Sequence, residues 1–453
     1  MRTAIIGAGI GGLSTAFYLQ RASPETEIHI FEAGEKVGGT MRTDTINGFL
    51  FEAGGNGFLT NKPFSIDLVR DSGAEHLLLP SSDLARKRYI FTDRLHRLPE
   101  SPGPFIATSL ISWSAKLRLA AEVLIPRRKT EGEETLQAFG YRRVGQEFTD
   151  VFLDAMTAGI YATTPDRVSV NAAFPLVVQL EREYGGLFRG MIARRKKQAG
   201  PGGILMSFKG GVVSFLEHLR NTIPATWHLS TPVTKVVREG TSYAVTYTSE
   251  GESHTETFDS IVLATQAHAA ARIIADMAPA LAQKLAAIEY SPVAVVGFGW
   301  HELDHPLDGF GLLTTTKARL PVLGVLWDSS IFPDRAPPGG KSVRIMIGGQ
   351  RNPELVDQDE AGLIATALEG LRITTGIDKA PDVRFVQRWD RGIPSYRVGH
   401  IPAVDQIFSD LQSFPGLKLG GNAYRGIAMN DCVRNGRQIA EELVASTRAT
   451  DSS

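Results

Sequence analysis

The chain opens on an apolar run from Ala4 that gives way to glycine and then to an alanine- and leucine-rich stretch with the composition of a helix. A second run, Glu27 to Phe31, stops at the acidic Glu32. Short apolar runs set off by a glycine turn and a helix suit strands buried on both faces of a parallel sheet. Tight alternation replaces this pattern in "WHLSTPVTKVVREGTSYAVTYTSEGESHTETFDSIVLAT", with turn signals at Glu239-Gly240 and Glu250-Gly251. It predicts a small antiparallel unit that ends in a buried strand, Ser260 to Ala264, and returns to the first domain. Strands are predicted again at 293–299, 322–327 and 343–348, and a helix at 359–371. Leu417 to Leu419 reads as a last short strand, Gly420-Gly421 as a turn, and Ala428 to Leu443 as a helix.

The middle of the chain differs. "KRYIFTDRLHRLP" reads as strand, Asp93-Arg94 turn, strand, whereas Lys116 to Leu124 and Thr135 to Met156 carry helical periodicity around the charged break "PRRKTEGEE". A helical insertion is therefore expected over 100–204, closed by Pro201-Gly202-Gly203. Lys209-Gly210-Gly211 then opens a helix through Leu219.

The glycine pattern carries the chemistry. Gly7-Ala8-Gly9-Ile10-Gly11-Gly12 sits between the first strand and its helix, the context a dinucleotide fingerprint requires. Gly7 permits a tight turn, Gly9 lets the backbone approach a diphosphate, Gly12 lets the helix lie close to the strand, and Gly11 belongs to the same expected cofactor set. The helix amino terminus would face the phosphates, and Glu32, 20 residues beyond Gly12, would accept hydrogen bonds from a ribose. Gly38-Gly39-Thr40 is a second glycine turn, where Arg42 and the amides around it are expected to meet further phosphate or the flavin end of a long cofactor, and Gly54-Gly55-Asn56-Gly57 is a third. Three such turns within the first 57 residues favour FAD over a nicotinamide cofactor, because backbone must approach a long buried cofactor repeatedly. The last helix, with Asn430 and Asp431 in its first turn, offers a second amino terminus to the flavin ring or the ribityl chain. Gly421, Asn422, Ala428 and Met429 belong to that end of the site, and Val233, Thr265 and Trp389 complete the expected cofactor set.

The fold class that follows is α/β: a Rossmann-type FAD-binding domain with a mixed-sheet substrate domain and a mainly helical insertion. The cofactor domain is assigned to 1–75, 205–290 and 388–446, the substrate domain to 76–99 and 291–387, and a disordered tail to 447–453.

Composition changes this picture little. A length of 453 residues suits two or three domains, and 43% hydrophobic with 21% charged residues is ordinary for a folded protein. A formal net charge of -1 gives no support to nucleic-acid binding. One cysteine, Cys432, excludes a disulfide framework and a multi-cysteine metal site, and is expected to be inert. The fingerprint starts at Ala4, so no signal or transit segment is expected ahead of it, and no apolar run approaches the length of a membrane span. A cytoplasmic protein is expected, with peripheral membrane contact open. The basic run Arg194-Arg195-Lys196-Lys197 reads most plainly as a solvated helix face. Together with the apolar stretches Phe105 to Ile111 and Phe174 to Leu180, it could instead meet anionic lipid, or a homodimer could cover those stretches.

"GAGIGGL", "KRYIFTDRLHRLP", "TAGIYATTPDRVSVNAAFP", "SFKGG", "DGFGLL", "DSSIFP", "IMIGG", "GIPSYRVGH" and "GNAYRGIAMNDC" together resemble the oxygen-dependent protoporphyrinogen oxidase family, within the wider group of FAD amine oxidases and phytoene desaturases. The resemblance spans nearly the whole chain. It implies six-electron oxidation of protoporphyrinogen IX, with FAD as hydride acceptor and O2 as final acceptor, giving H2O2. It further implies that Arg88 pairs with a substrate propionate and that Gly159, with Ala162 beside it, supplies a nearby backbone contact. Phe310, Leu313 and Met346 would be walls of the slot; core packing is the plainer reading of these three. Transfer of product to a chelatase goes with the same expectation. Two departures stand out: Thr163-Thr164 after "GIYA", where many bacterial members have Gly-Asp, and Gly54-Gly55 where Gly-Pro is usual.

Such an oxidation asks for position more than for acid–base groups. Accordingly His96, His268 and His400 form no pair with metal-ligand spacing, and none is expected to act as a general base. Coproporphyrinogen III oxidation is the alternative substrate reading. An amine oxidase or desaturase, and a non-catalytic FAD-binding protein, stand behind it.

Overall fold

The computed structural model describes residues 1–130, 132–197 and 203–451. Five strands form one parallel sheet in the order Thr226–His228, Glu27–Phe31, Arg2–Ile6, Ser260–Leu263, Leu417–Leu419. Alternate residues of the central strands serve different cores. Ile5 and Val262 pack with the helices Ile10–Ala22, Val212–Thr222 and Met429–Asp451, while Ala4, Ile6, Ile261 and Leu263 pack toward the other face. That face is covered by the antiparallel strands Val233–Glu239, Ser242–Ser249 and Glu252–Phe258 and by the helices Ala267–Ile273 and Pro279–Ala286. Covering both faces explains why these strands are apolar throughout.

Trp227 and His228, read from sequence as the start of the antiparallel unit, join the edge of the parallel sheet instead. Pro232 separates the two segments; a residue without an N–H donor cannot continue a ladder. Both predicted turns of the unit are present, with positive φ at Gly240 (64°), Glu250 (52°) and Gly251 (83°).

A second, mixed sheet of seven strands runs Val383–Pro394, Tyr290–Trp300, Lys341–Gly348, Val322–Leu326, Gly311–Thr314, Arg88–Phe91, Leu95–Arg97. Its period-2 alternation divides it sharply. Ala294, Val296, Phe298, Val343, Ile345 and Ile347 form a core with the helix Glu360–Thr375. Val293, Val295, Arg344, Met346, Leu313, Arg88 and Ile90 lie on the opposite face and line a cavity. The strands Gly311–Thr314 and Val383–Pro394 were not read from sequence.

The insertion is helical but not continuous over Thr135 to Met156. The helix Leu136–Arg143 stops where Gly145 takes φ 93°. The chain then rewinds through Gln146–Phe148 and a wider π-type turn, Thr149–Leu153, into the helix Asp154–Tyr161. Asp154 accepts from the Thr316 amide (2.6 Å) and from Arg351 Nη2 (3.0 Å), which ties that helix to the seven-stranded sheet. The wholly buried pair Glu122–Arg143 joins the insertion's own helices.

Among the described residues, no helix is long and apolar enough to cross a membrane. The side chains of Arg195, Lys196 and Lys197 lie outside the described residues, as do Pro201 and Gly202. The last helix, Met429–Asp451, continues into the segment expected to be a tail, and Ser452 and Ser453 lie outside the described residues.

Candidate active site

A cavity of 2180 Å³ lies between the parallel sheet and the seven-stranded sheet. Sites for drug-sized ligands occupy about 300–1,000 Å³, so this one has room for a long cofactor and a second ligand.

At one end the glycine turns converge. A Cβ on Gly12 would stand 2.0 Å from the Gly7 carbonyl oxygen, so Gly12 is required by the contact of helix with turn and does not itself line the cavity. Gly9 bridges to Gly38 of the second turn, and a Cβ on Gly11 would stand 3.2 Å from the Gly421 amide nitrogen. Turns from the beginning and end of the chain thus meet at the amino terminus of the helix Ile10–Ala22, where Gly9 provides no side-chain cap. Those free N–H groups and the helix dipole favour an anion.

Glu32 lines the cavity and accepts from the amides of Ala8 (2.9 Å) and Gly34 (2.8 Å). Its carboxylate still has lone pairs for a ribose hydroxyl. Gly39, Thr40, Gly54, Asn56, Val233, Thr265, Trp389, Gly421, Asn422, Ala428 and Met429 line the same space. Asn56 Nδ2 is buried without a hydrogen-bond partner, an unmet donor that a polar ligand in the cavity would satisfy. The residues therefore fit a flavin dinucleotide. Arg42 stands apart from this set: it pairs with Asp44 (2.8 Å) and does not line the cavity.

Arg344 was not read from sequence, yet it holds the third turn in place. Its guanidinium donates to the carbonyls of Glu52 (2.6 Å) and Gly54 (2.9 Å) and grips Asp328 with two further bonds. Asn430 ties the start of the last helix to the chain at Leu59 and Ser65, and Lys62 pairs with Asp431 (2.9 Å). Further back, Tyr396 donates to the Asn422 carbonyl (2.8 Å) and accepts from the Gly426 amide (2.9 Å). Burial holds that hydroxyl far above its ordinary pKa, so it remains a donor.

The other end of the cavity is apolar. Arg88, Phe310, Leu313, Gly159 and Met346 are brought together there. Parallel pairing sets Arg88 opposite Gly311, just after Phe310, and the Arg88 guanidinium lies over the Phe310 ring. The Arg88 carbonyl accepts from the Leu98 amide (2.7 Å), but its guanidinium makes no hydrogen bond or ion pair among the described residues. Leu313 packs on Gly159, where a Cβ would stand 2.8 Å from Leu313 Cδ2. Ala162 lies outside the lining: it ends the helix at φ 50° and is buried, its carbonyl accepting from the Gln350 amide.

Facing this wall is a stripe that was also missed, Phe148, Phe152, Met156 and Ile160. Its spacing of four is helical and could have been read in "EFTDVFLDAMTAGIYA".

Among the described residues no cluster of ligand groups suits a metal. His96 bonds to Asp93, and His400 donates to the Tyr424 carbonyl (3.0 Å) beneath a stacked Tyr396 ring. His268 alone of the three lines the cavity, and burial, with Arg391 and Arg272 nearby, holds its pKa below the usual value. Cys432 is buried and its thiol is pushed up to about 12, so it is un-ionised at neutral pH.

Residues 10–444 match the family of flavin containing amine oxidoreductases. The chain is 28% identical to the coproporphyrinogen III oxidase of Bacillus subtilis (strain 168), over 97% of this chain and 97% of that protein. It is 29% identical to the chloroplastic protoporphyrinogen oxidase 1 of Arabidopsis thaliana, over 97% of this chain and 87% of that protein. A crystal structure from Exiguobacterium sp. 255-15 superposes with a TM-score of 0.86 at 25% identity, covering 98% of this chain and 99% of the other. The family implies an FAD-binding oxidase fold, which the parallel sheet, its glycine turns and the cavity between two sheets fit. With a match that runs through nearly all of its length, the chain belongs to the flavin containing amine oxidoreductase family.

Proposed function

We propose that this protein is a porphyrinogen oxidase that takes six electrons from protoporphyrinogen IX to give protoporphyrin IX, with O2 as final acceptor and H2O2 as by-product. The observation that carries the reading is Arg88, an unpaired guanidinium on the wall of an otherwise apolar slot. A ring with carboxylates at one edge matches it: the guanidinium takes a propionate through a charge-assisted pair, and Phe310, Leu313 and Met346 hold the macrocycle. Bound FAD supplies hydride acceptance and the passage of electrons to O2.

The remaining work belongs to the protein. Gly7, Gly9, Gly39 and Gly54 bring backbone close to the cofactor, Glu32 and Asn56 meet its polar groups, and Arg344 keeps the third turn in register. The slot orients a meso C–H. As hydride leaves, the adjacent pyrrole N–H gives its proton to the solvent that reaches the exposed Arg88, so no histidine base is invoked; His96 and His400 are engaged elsewhere.

An amine substrate is disfavoured because its ammonium would meet a free guanidinium, and a hydrocarbon would leave that guanidinium without a partner. Coproporphyrinogen III remains the second substrate reading, supported by the similarity to the Bacillus subtilis enzyme. Aerobic incubation with protoporphyrinogen IX tests the proposal. Porphyrin fluorescence should rise with stoichiometric H2O2, and no acceleration over the spontaneous reaction would refute it.

A further inference from the structure

The charged groups of the cavity are unevenly placed. Arg344 and Lys62 are neutralised by Asp328 and Asp431. Arg272 and Arg391 flank His268 on the wall that carries Thr265 and Trp389, and Arg388, on the same edge strand as Trp389, donates to the Gln358 carbonyl (2.7 Å). The strand bearing Trp389 and Arg391 is one edge of the seven-stranded sheet, and Arg88 lies five strands away. At about 4.8 Å per strand that is about 24 Å along the sheet, farther than one tetrapyrrole reaches. Among the described residues the apolar end therefore holds one free cation, Arg88, which marks where substrate carboxylates go.

Beyond Arg88 the lining changes abruptly. Ile90, two residues on along the same strand face, meets the insertion through Phe148 and Phe152. Those two rings are stacked, with centroids 4.6 Å apart and planes at 18°, and Phe105 backs Phe152 at 6.3 Å. Met156 and Ile160 continue the stripe one and two turns further. None of these side chains offers an N–H or O–H. A carboxylate pressed against this face would lose its water and gain no side-chain donor.

We infer that the stacked pair Phe148–Phe152 is a specificity-determining wall. It accepts the alkyl and vinyl edge of a porphyrinogen whose carboxylates share one edge, and excludes one with a propionate on every pyrrole. The inference rests on the porphyrinogen reading above and deepens it, since discrimination comes from an element that repels the competitor as well as from the anchor that binds the substrate.

The test compares kcat/KM for protoporphyrinogen IX and coproporphyrinogen III in wild type, Phe152→Leu, Phe152→Lys and Phe148→Lys. The ratio is read in whichever lysine variants retain flavin. Wild type should prefer protoporphyrinogen by about 100-fold, the scale on which a pocket rejects a misplaced group. Phe152→Leu should keep that preference, and a lysine should narrow it at least about tenfold by raising the coproporphyrinogen rate. Equal wild-type rates, or a ratio that the lysine variants leave unmoved, overturns the inference. Wild type that oxidises neither porphyrinogen defeats instead the reading on which it rests.

Discussion

The Arg88 guanidinium lies over the ring of Phe310, with Cζ 5.2 Å from the ring centroid. Stacking on an aromatic face holds the cation in place and leaves its N–H groups unspent, as an anchor for an incoming carboxylate requires. Arg88→Ala should therefore lower kcat/KM for the porphyrinogen by roughly 10- to 150-fold, from about 1.5–3 kcal/mol for one charge-assisted interaction. Flavin content should not change, because Arg88 touches none of the glycine turns. Arg88→Lys should recover only part of the loss, lacking the planar fork. Steady-state kinetics with flavin absorbance as the loading control decides it; an alanine variant as efficient as wild type removes Arg88 from the site.

Two glycines that look alike in sequence should behave differently. Gly12→Ala places a methyl 2.0 Å from a backbone oxygen in a buried turn, and should cost flavin binding and thermal stability together. Gly55→Ala meets no protein atom within 4 Å, and its effect on protein stability should stay within about ±0.5 kcal/mol. Melting temperature and bound flavin in the two variants test this. Comparable losses in both would mean that the third turn is packed differently.

The parallel sheet and its glycine turns were legible because burial on both faces and close backbone approach each leave a local mark. Gly12 and Glu32 could be placed from four short segments. Arg344 could not: the carbonyls it holds, Glu52 and Gly54, are far away in sequence, and a lone arginine in an apolar strand carries no signal of where its guanidinium goes. Arg42 illustrates the converse, since its nearness to a glycine turn suggested a phosphate contact while Asp44, two residues on, takes the charge. The Phe148–Phe152 stripe was readable as an apolar helix face, but its partner across the cavity was not, because periodicity does not show what a face meets.

His400 makes stability pH-dependent. Burial holds its pKa below the ordinary value, so the unfolded chain binds the proton more tightly than the folded one. The stability it contributes is complete above the usual histidine pKa and is lost as pH falls below about 6.5. The ring lies under Tyr396, which holds the Asn422–Gly426 loop, so flavin should loosen over the same window. Melting temperature and flavin retention between neutral and mildly acid pH should fall in wild type and fall less in His400→Gln. Identical profiles would take His400 out of the explanation.

Lipid contact, if the insertion makes it, should centre on one group of residues. The expected apolar stretches turn partly inward, with Leu110, Ile111 and Leu180 buried. Trp113 (65% exposed), Leu117 (70%) and Leu124 (78%) are outward, and Arg127, Arg128 and Lys129 follow closely. Flotation with anionic vesicles at low salt should carry the wild type upward and leave Trp113→Asp/Leu117→Asp behind. Wild type that stays at the bottom of the gradient rejects a lipid role for this surface.

The most direct measurement is anaerobic flavin reduction, followed by loss of the flavin's visible absorbance after mixing with a single reductant. Protoporphyrinogen IX should bleach the wild-type flavin rapidly, coproporphyrinogen III more slowly, and putrescine not at all. Arg88→Ala should slow the first reaction without changing the amount of flavin reduced at completion. Bleaching by the amine, with neither porphyrinogen reacting, would contradict the account at its centre.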